Sequence, residues 1–183
     1  INIPRDMWTQ VIDIDLPAMV EFERPSGGDK AISEAAEMLS SSNNPVILNG
    51  AGVVLSEGAI EASKALAERL DAPVCVGYQH NDAFPGSHPL FSGPLGYNGS
   101  KAAMELIKDA DVVLCLGTRL NPFSTLPGYG IDYWPQNAKI IQVDINPDRI
   151  GLTKKVSVGI VGDAAKVADK ILDELSDNAG DLN

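Results

Sequence analysis

Pro45-Val46-Ile47-Leu48-Asn49-Gly50-Ala51-Gly52 is the stretch on which the fold class turns. Val46-Ile47-Leu48 is an uninterrupted apolar run of strand length. Gly50-Ala51-Gly52 stops it, and Ala59, Ala62, Leu66 and Leu70 then line one face of a helix for which Ser56 is the expected cap. A run that is continuous rather than alternating predicts a strand covered on both faces, as in parallel sheets. The same unit recurs on either side. Upstream, Ile32, Ala35, Ala36 and Leu39 mark a helix capped by Asp29 and ended before Asn43-Asn44-Pro45. Downstream come a strand at Pro73–Val76, a loop over 77–99, and a helix through Ala103, Leu106, Ile107 and Ala110. A strand at Val112–Leu116 ends at Gly117, a loop rich in Pro and Gly follows, and Lys139–Val143 and Val156–Val161 complete the strands. Asp163 caps a last helix with Ala164, Val167, Ala168, Ile171, Leu172 and Leu175 on one stripe. Strands alternating with helices predict an α/β fold, a doubly wound and mainly parallel sheet of five or six strands with helices on both faces, Rossmann-like but degenerate.

Composition limits the partners. With 14 Lys and Arg against 25 Asp and Glu, the net charge of the 183 residues is −11, and Lys154-Lys155 is the only adjacent basic pair. Surfaces that neutralise nucleic-acid phosphates or an anionic leaflet carry a basic stripe, so neither nucleic acid nor membrane is expected. The longest uninterrupted apolar run, Val112–Leu116, is far short of the roughly 18 residues of a membrane helix. Apolar residues make up 44% and charged residues 21%, which predicts a packed core. Cys75 and Cys115 sit inside apolar stretches and read as reduced core thiols in a cytoplasmic protein. A start at Ile1, without an initiator Met or a signal-type leader, predicts an excised piece of a longer chain. Residues 1–27 read as the tail of a preceding domain and a linker, 28–176 as the domain itself, and 177–183 as a frayed acidic tail.

Ligands of such sheets bind beyond the carboxyl ends of the strands. Gly50 and Gly52 would let the backbone approach a phosphate. Leu55 stands where the third glycine of G-x-G-x-x-G belongs, and the second strand runs into Gly77-Tyr78-Gln79 with no acidic ribose ligand, which argues against NAD. Gly117-Thr118-Arg119 brings a guanidinium suited to a pyrophosphate or carboxylate. Asp144 could accept from ribose hydroxyls, and Gly162-Asp163 opens the last helix. Each has a structural alternative: Arg119 in an ion pair, Asp144 capping the turn at Asn146-Pro147, Asp163 as a helix cap. His80 and His88 read as loop surface, without zinc-ligand spacing. With no G-x-S-x-G elbow and no Walker lysine, neither catalytic residues nor metal ligands are expected from this chain. Tyr129, Tyr133 and Trp134, between Pro127 and Pro135, read either as a docking patch or as packing over the sheet edge.

These pieces, in this order, resemble the central domain of thiamine-diphosphate enzymes of the acetolactate synthase group, over about residues 28–175. The likeness rests on Gly50-Ala51-Gly52, Phe84-Pro85-Gly86-Ser87-His88-Pro89, Leu116-Gly117-Thr118-Arg119, Ile141-Gln142-Val143-Asp144-Ile145-Asn146 and Val161-Gly162-Asp163. Ile3-Pro4-Arg5-Asp6 is similar to the close of that group's preceding pyrimidine-binding domain. Asn2–Gln10 and Pro127–Pro135 resemble, more narrowly, the sulfoacetaldehyde acetyltransferase family. That resemblance implies phosphate-dependent cleavage of sulfoacetaldehyde to acetyl phosphate and sulfite, in taurine metabolism, with thiamine diphosphate and magnesium held by the pyrimidine- and diphosphate-binding domains in a homodimer or tetramer. The thiamine-activating glutamate and the Gly-Asp-Gly…Asn magnesium motif of those domains are absent from these residues. In relatives the central domain binds FAD or ADP, which implies Gly50, Gly52, Gly117, Thr118, Arg119, Asp144, Ile145, Gly162 and Asp163 as cofactor-binding positions. Tyr97-Asn98-Gly99 departs from the Met-His-Gly of flavin-binding relatives.

Overall fold

Six strands align in one parallel sheet in the computed structural model, which describes the backbone of residues 2–180 and side chains through Leu175. They are β1 (Pro45–Asn49), β2 (Val74–Val76), β3 (Phe91–Pro94), β4 (Val112–Leu116), β5 (Lys139–Asp144) and β6 (Val158–Val161). Their order is β3-β2-β1-β4-β5-β6, so the direction of winding reverses between β1 and β4. This is the doubly wound sheet expected from the continuous apolar runs, and the reversal leaves a crevice at the strands' carboxyl ends.

The helices are α1 (Asp29–Ser40), α2 (Ala51–Val54), α3 (Ala59–Leu70), α4 (Lys101–Lys108), α5 (Pro122–Thr125) and α6 (Ala164–Gly180). Alternate residues along β1, β2, β4 and β5 serve two cores. Ile47, Val74, Leu114 and Ile141 pack under Ile32 and Leu39 of α1, Leu66 of α3 and Val167 and Ile171 of α6. On the opposite face Val46, Leu48, Val113 and Ile140 meet Met104 and Ile107 of α4, and Tyr133 and Trp134 fill the part that no helix covers. The aromatics before β5 are thus core for Tyr133 and Trp134, while Tyr129 alone is exposed.

Several local expectations are corrected. β3 lies inside the stretch read as a loop over 77–99: Gly93 and Pro94 hide it, and both are tolerable because it is an edge strand. β6 begins at Val158, not Val156, and its burial alternates as befits the other edge. Gly28, not Asp29, occupies the α1 cap position, and Asp29 instead accepts from Lys170 Nζ at 2.9 Å. The helix after Gly52 is split into α2 and α3, with Gly58 at φ +77° as the α3 cap, so Ser56 is released for another partner. Leu106 faces solvent. Helix α6 continues to Gly180 across much of the expected frayed tail, and residues 181–183 of that tail lie outside those described.

Cys75 and Cys115 are free and fully buried, on the two strands flanking β1 and both opposite Leu48. Two strand spacings of about 4.8 Å separate their backbones, beyond the reach of a disulfide at about 7 Å. Burial pushes the Cys75 thiol up to about 12 and the Cys115 thiol higher still. No described helix is long and apolar enough to cross a membrane.

Candidate functional site

Glycine is the first residue beyond β1, β2, β4 and β6, and all four glycines donate their amides to a neighbouring strand. Gly50 N bonds Leu116 O at 2.9 Å, Gly77 N bonds Asn49 O at 2.8 Å, Gly117 N bonds Val143 O at 2.9 Å, and Gly162 N bonds Asp144 O at 3.1 Å. They add one rung to the sheet, and Gly77, Gly117 and Gly162 floor a crevice of about 780 Å³ at the switch point. Gly52, Gly117, Thr118, Arg119, Asp144, Ile145, Gly162 and Asp163 line this crevice, together with Arg24, His80 and Arg149, whereas Gly50 lies outside it.

The turn from β1 into α2 and the β4–α5 loop meet backbone to backbone beside that floor. Gly52 N donates to Gly117 O at 2.8 Å. A Cβ at Gly52 would stand 2.5 Å from Gly117 Cα, and one at Gly50 would stand 2.5 Å from Thr118 Cβ. Gly117 itself has φ +56°, which disfavours any side chain. The amides of Gly50 and Gly52 are therefore committed within the fold rather than offered to a phosphate. This part of the site does not fit the pyrophosphate of FAD or ADP.

Asp163 is similarly committed. Its Oδ1 accepts from Ser56 Oγ at 2.7 Å and from Ala165 N at 3.1 Å, and its Oδ2 accepts from Arg24 Nη1 at 2.9 Å. Burial opposes its charge, but the Ser56 and Arg24 bonds and the helix amides outweigh it and hold the carboxyl below its ordinary value. Asp163 caps α6, as the sequence suggested, and Ser56 assists this cap rather than its own helix. Asp144 Oδ1 accepts from Asn146 N at 2.9 Å, the turn-capping alternative. Thr118 Oγ1 accepts from Leu120 N at 3.2 Å, bracing Leu120 at φ +53°.

Gln142 escapes a reading confined to strand ends. Buried in β5, it donates from Nε2 to Thr118 O at 3.0 Å and to Arg149 O at 3.2 Å, and accepts from Gly151 N at 2.9 Å. One side chain thus ties together the loops that carry Arg119 and Arg149. The signal was present as a lone amide in Ile140-Ile141-Gln142-Val143. Among the described residues neither Arg119 nor Arg149 makes an ion pair, and both are exposed at the crevice. His80 also lines it. His88 does not, and it is not loop surface either: its Nε2 lies 3.2 Å from Glu68 Oε1, its Nδ1 accepts from Leu90 N, and its ring packs edge-on against Phe84.

The crevice is therefore lined by two guanidiniums of a kind suited to an anion, Arg119 and Arg149. Its two carboxylates are occupied in capping, and no acid–base pair converges there. No group of three His, Cys, Asp or Glu side chains is placed as a metal site among the described residues.

Comparison with known proteins is specific. The family model for the thiamine pyrophosphate enzyme central domain matches residues 32–171. A sulfoacetaldehyde acetyltransferase of Roseovarius nubinhibens is 76% identical over 183 residues, covering all of this chain and 30% of that protein. A probable acetolactate synthase large subunit of Methanocaldococcus jannaschii is 37% identical, covering 94% of this chain and 30% of that protein. Among solved structures, benzoylformate decarboxylase from Polynucleobacter necessarius superposes with a TM-score of 0.71 at 24% identity, covering 93% of this chain and 31% of that one, a likeness of fold. The chain thus spans about 30% of the length of the curated relatives it matches.

Proposed function

Because the chain belongs to the central-domain family of thiamine pyrophosphate enzymes, we propose that it is the non-catalytic scaffold domain of a sulfoacetaldehyde acetyltransferase, which converts sulfoacetaldehyde and phosphate to acetyl phosphate and sulfite. The observation that carries this reading is the 76% identity along the full chain, against 37% to the acetolactate synthase relative. Residues 28–176 are the domain and 1–27 the tail of a preceding pyrimidine-binding domain and the linker from it, with a diphosphate-binding domain completing the polypeptide. The working form is a cytoplasmic homodimer or tetramer in taurine metabolism that also holds magnesium. Bound thiamine diphosphate supplies the carbanion chemistry. This chain supplies a rigid sheet whose capped and cross-braced loops hold neighbouring parts in register.

In the test, the intact protein with sulfoacetaldehyde, phosphate, thiamine diphosphate and magnesium releases sulfite and forms acetyl phosphate, and the 183-residue piece does neither. Turnover by the piece, or condensation of pyruvate to acetolactate by the intact protein as its main reaction, would overturn the reading.

A second reading, an FAD- or ADP-binding central domain of an acetolactate-synthase-like enzyme, is favoured by Arg119 and Arg149 on the crevice wall and opposed by the committed glycine amides. Calorimetry of the intact protein with FAD, ADP and coenzyme A separates the two. Absence of heat at millimolar ligand leaves the scaffold.

A further inference from the structure

Residues 3–22 expose a series of large apolar side chains unlike anything else on this surface. Val11 is 98% exposed, Leu16 81%, Met19 92% and Phe22 84%. Among the described residues, no backbone group of residues 11–23 makes a hydrogen bond. The order of residues is not random: Ile12, Ile14 and Leu16 alternate with Asp13 and Asp15, and Val20 and Phe22 with Glu21 and Glu23. A period of two places apolar groups on one side and carboxylates on the other, the pattern of a half-buried extended segment. A soluble surface does not normally carry so much contiguous apolar area uncovered.

The end of this segment is anchored. Arg24 Nη1 pairs with Asp163 Oδ2 at 2.9 Å and also donates to Leu55 O at 3.1 Å. Pro25 O accepts from Asp163 N at 2.8 Å, Ser26 bridges Gly162, and Lys166 Nζ reaches Arg24 O at 3.0 Å. The direction in which residues 11–22 leave the domain is therefore fixed by the capped start of α6.

We propose that residues 11–22 are a docking strap, extended in the intact protein, whose Ile12, Ile14 and Leu16 side is buried against another part of the same longer polypeptide. About two thirds of the relatives' length lies outside this chain, which provides the surface. A second copy of this chain is the poorer occupant: with a net charge of −11 and three carboxylates in the strap, two copies laid together would repel. The proposal rests on the reading that this chain is part of a longer polypeptide, and not on the reaction assigned to it.

Hydrogen–deuterium exchange on the intact protein tests it. Amides of residues 11–16 should exchange at least about a hundredfold more slowly than an unstructured peptide, equally at high and low protein concentration. In the intact protein, the double substitution Ile14→Asp, Leu16→Asp should restore at least about tenfold faster exchange in the strap while amides of α3 stay protected. Unprotected wild-type amides would overturn the proposal, as would protection that disappears on dilution, which marks a second copy as the occupant. Since wild-type exchange is sufficient alone, a double variant that fails to fold leaves the test intact. Sulfite release is measured separately, so a protected strap in a protein lacking that activity would refute the function and leave the strap.

Discussion

Gln142 carries more of the site than any residue at a strand end. Replacing it with Leu would leave Gly151 N and the Thr118 carbonyl without their partner and remove the shorter of two bonds to the Arg149 carbonyl. Gln142→Leu is expected to cost about 2–3 kcal/mol in urea unfolding, with β5 still formed. Its role was illegible because Thr118 meets it only when β4 and β5 pair, and Arg149 and Gly151 come within reach only when the chain beyond β5 turns back. Asp163 was legible as a cap because its helix follows directly; its bonds to Arg24 and Ser56, more than a hundred residues away, were not. Its lowered carboxyl pKa has a definite sign in stability. The contribution is complete above the unfolded-state value of about 3.9 and is lost as pH falls through the lower folded value. Asp111 adds to the same slope: burial opposes its charge, and bonds from Ser42 and the Asn43 and Asn44 amides outweigh it. Acid titration by circular dichroism should therefore show stability falling below about pH 4, with a shallower fall in Asp163→Asn.

The turn from β1 into α2 shows how one element can be read correctly in sequence and for the wrong reason. Gly50 and Gly52 were visible as required glycines, but the requirement comes from the facing β4–α5 loop. Gly52→Ala would drive its Cβ into Gly117 backbone, and a loss of about 2–3 kcal/mol is expected in thermal unfolding. Gly58→Ala meets no atom within 4 Å and bears only the left-handed backbone at φ +77°, about 1 kcal/mol. The difference between the two separates crowding from conformation. Helices α1, α3 and α6 were plain because their apolar spacing is local. Strand β3 was hidden, since Gly93 and Pro94 contradict strand propensity and only its edge position beside β2 permits them.

At the level of the whole molecule, alternation of strand and helix was enough to give the parallel, doubly wound sheet, because a parallel neighbour requires a crossover and the continuous runs require cover on both faces. What alternation could not give was the uneven cover, α1, α3 and α6 with the short α2 on one face and α4 with Tyr133 and Trp134 on the other, because a long loop has no period to read. Ile171, buried where α6 meets α1 and α3, lies under the thicker face, and Ile171→Ala should lower stability by about 2–4 kcal/mol in denaturant titration. The two thiols facing Leu48 from either side occupy the innermost layer. A reagent that alkylates thiolates reaches them only when the layer formed by α4 with Tyr133 and Trp134 lifts from the sheet. Their rate of modification, followed by mass, therefore serves as a clock for opening of the molecule's centre, one that fraying at either end does not advance.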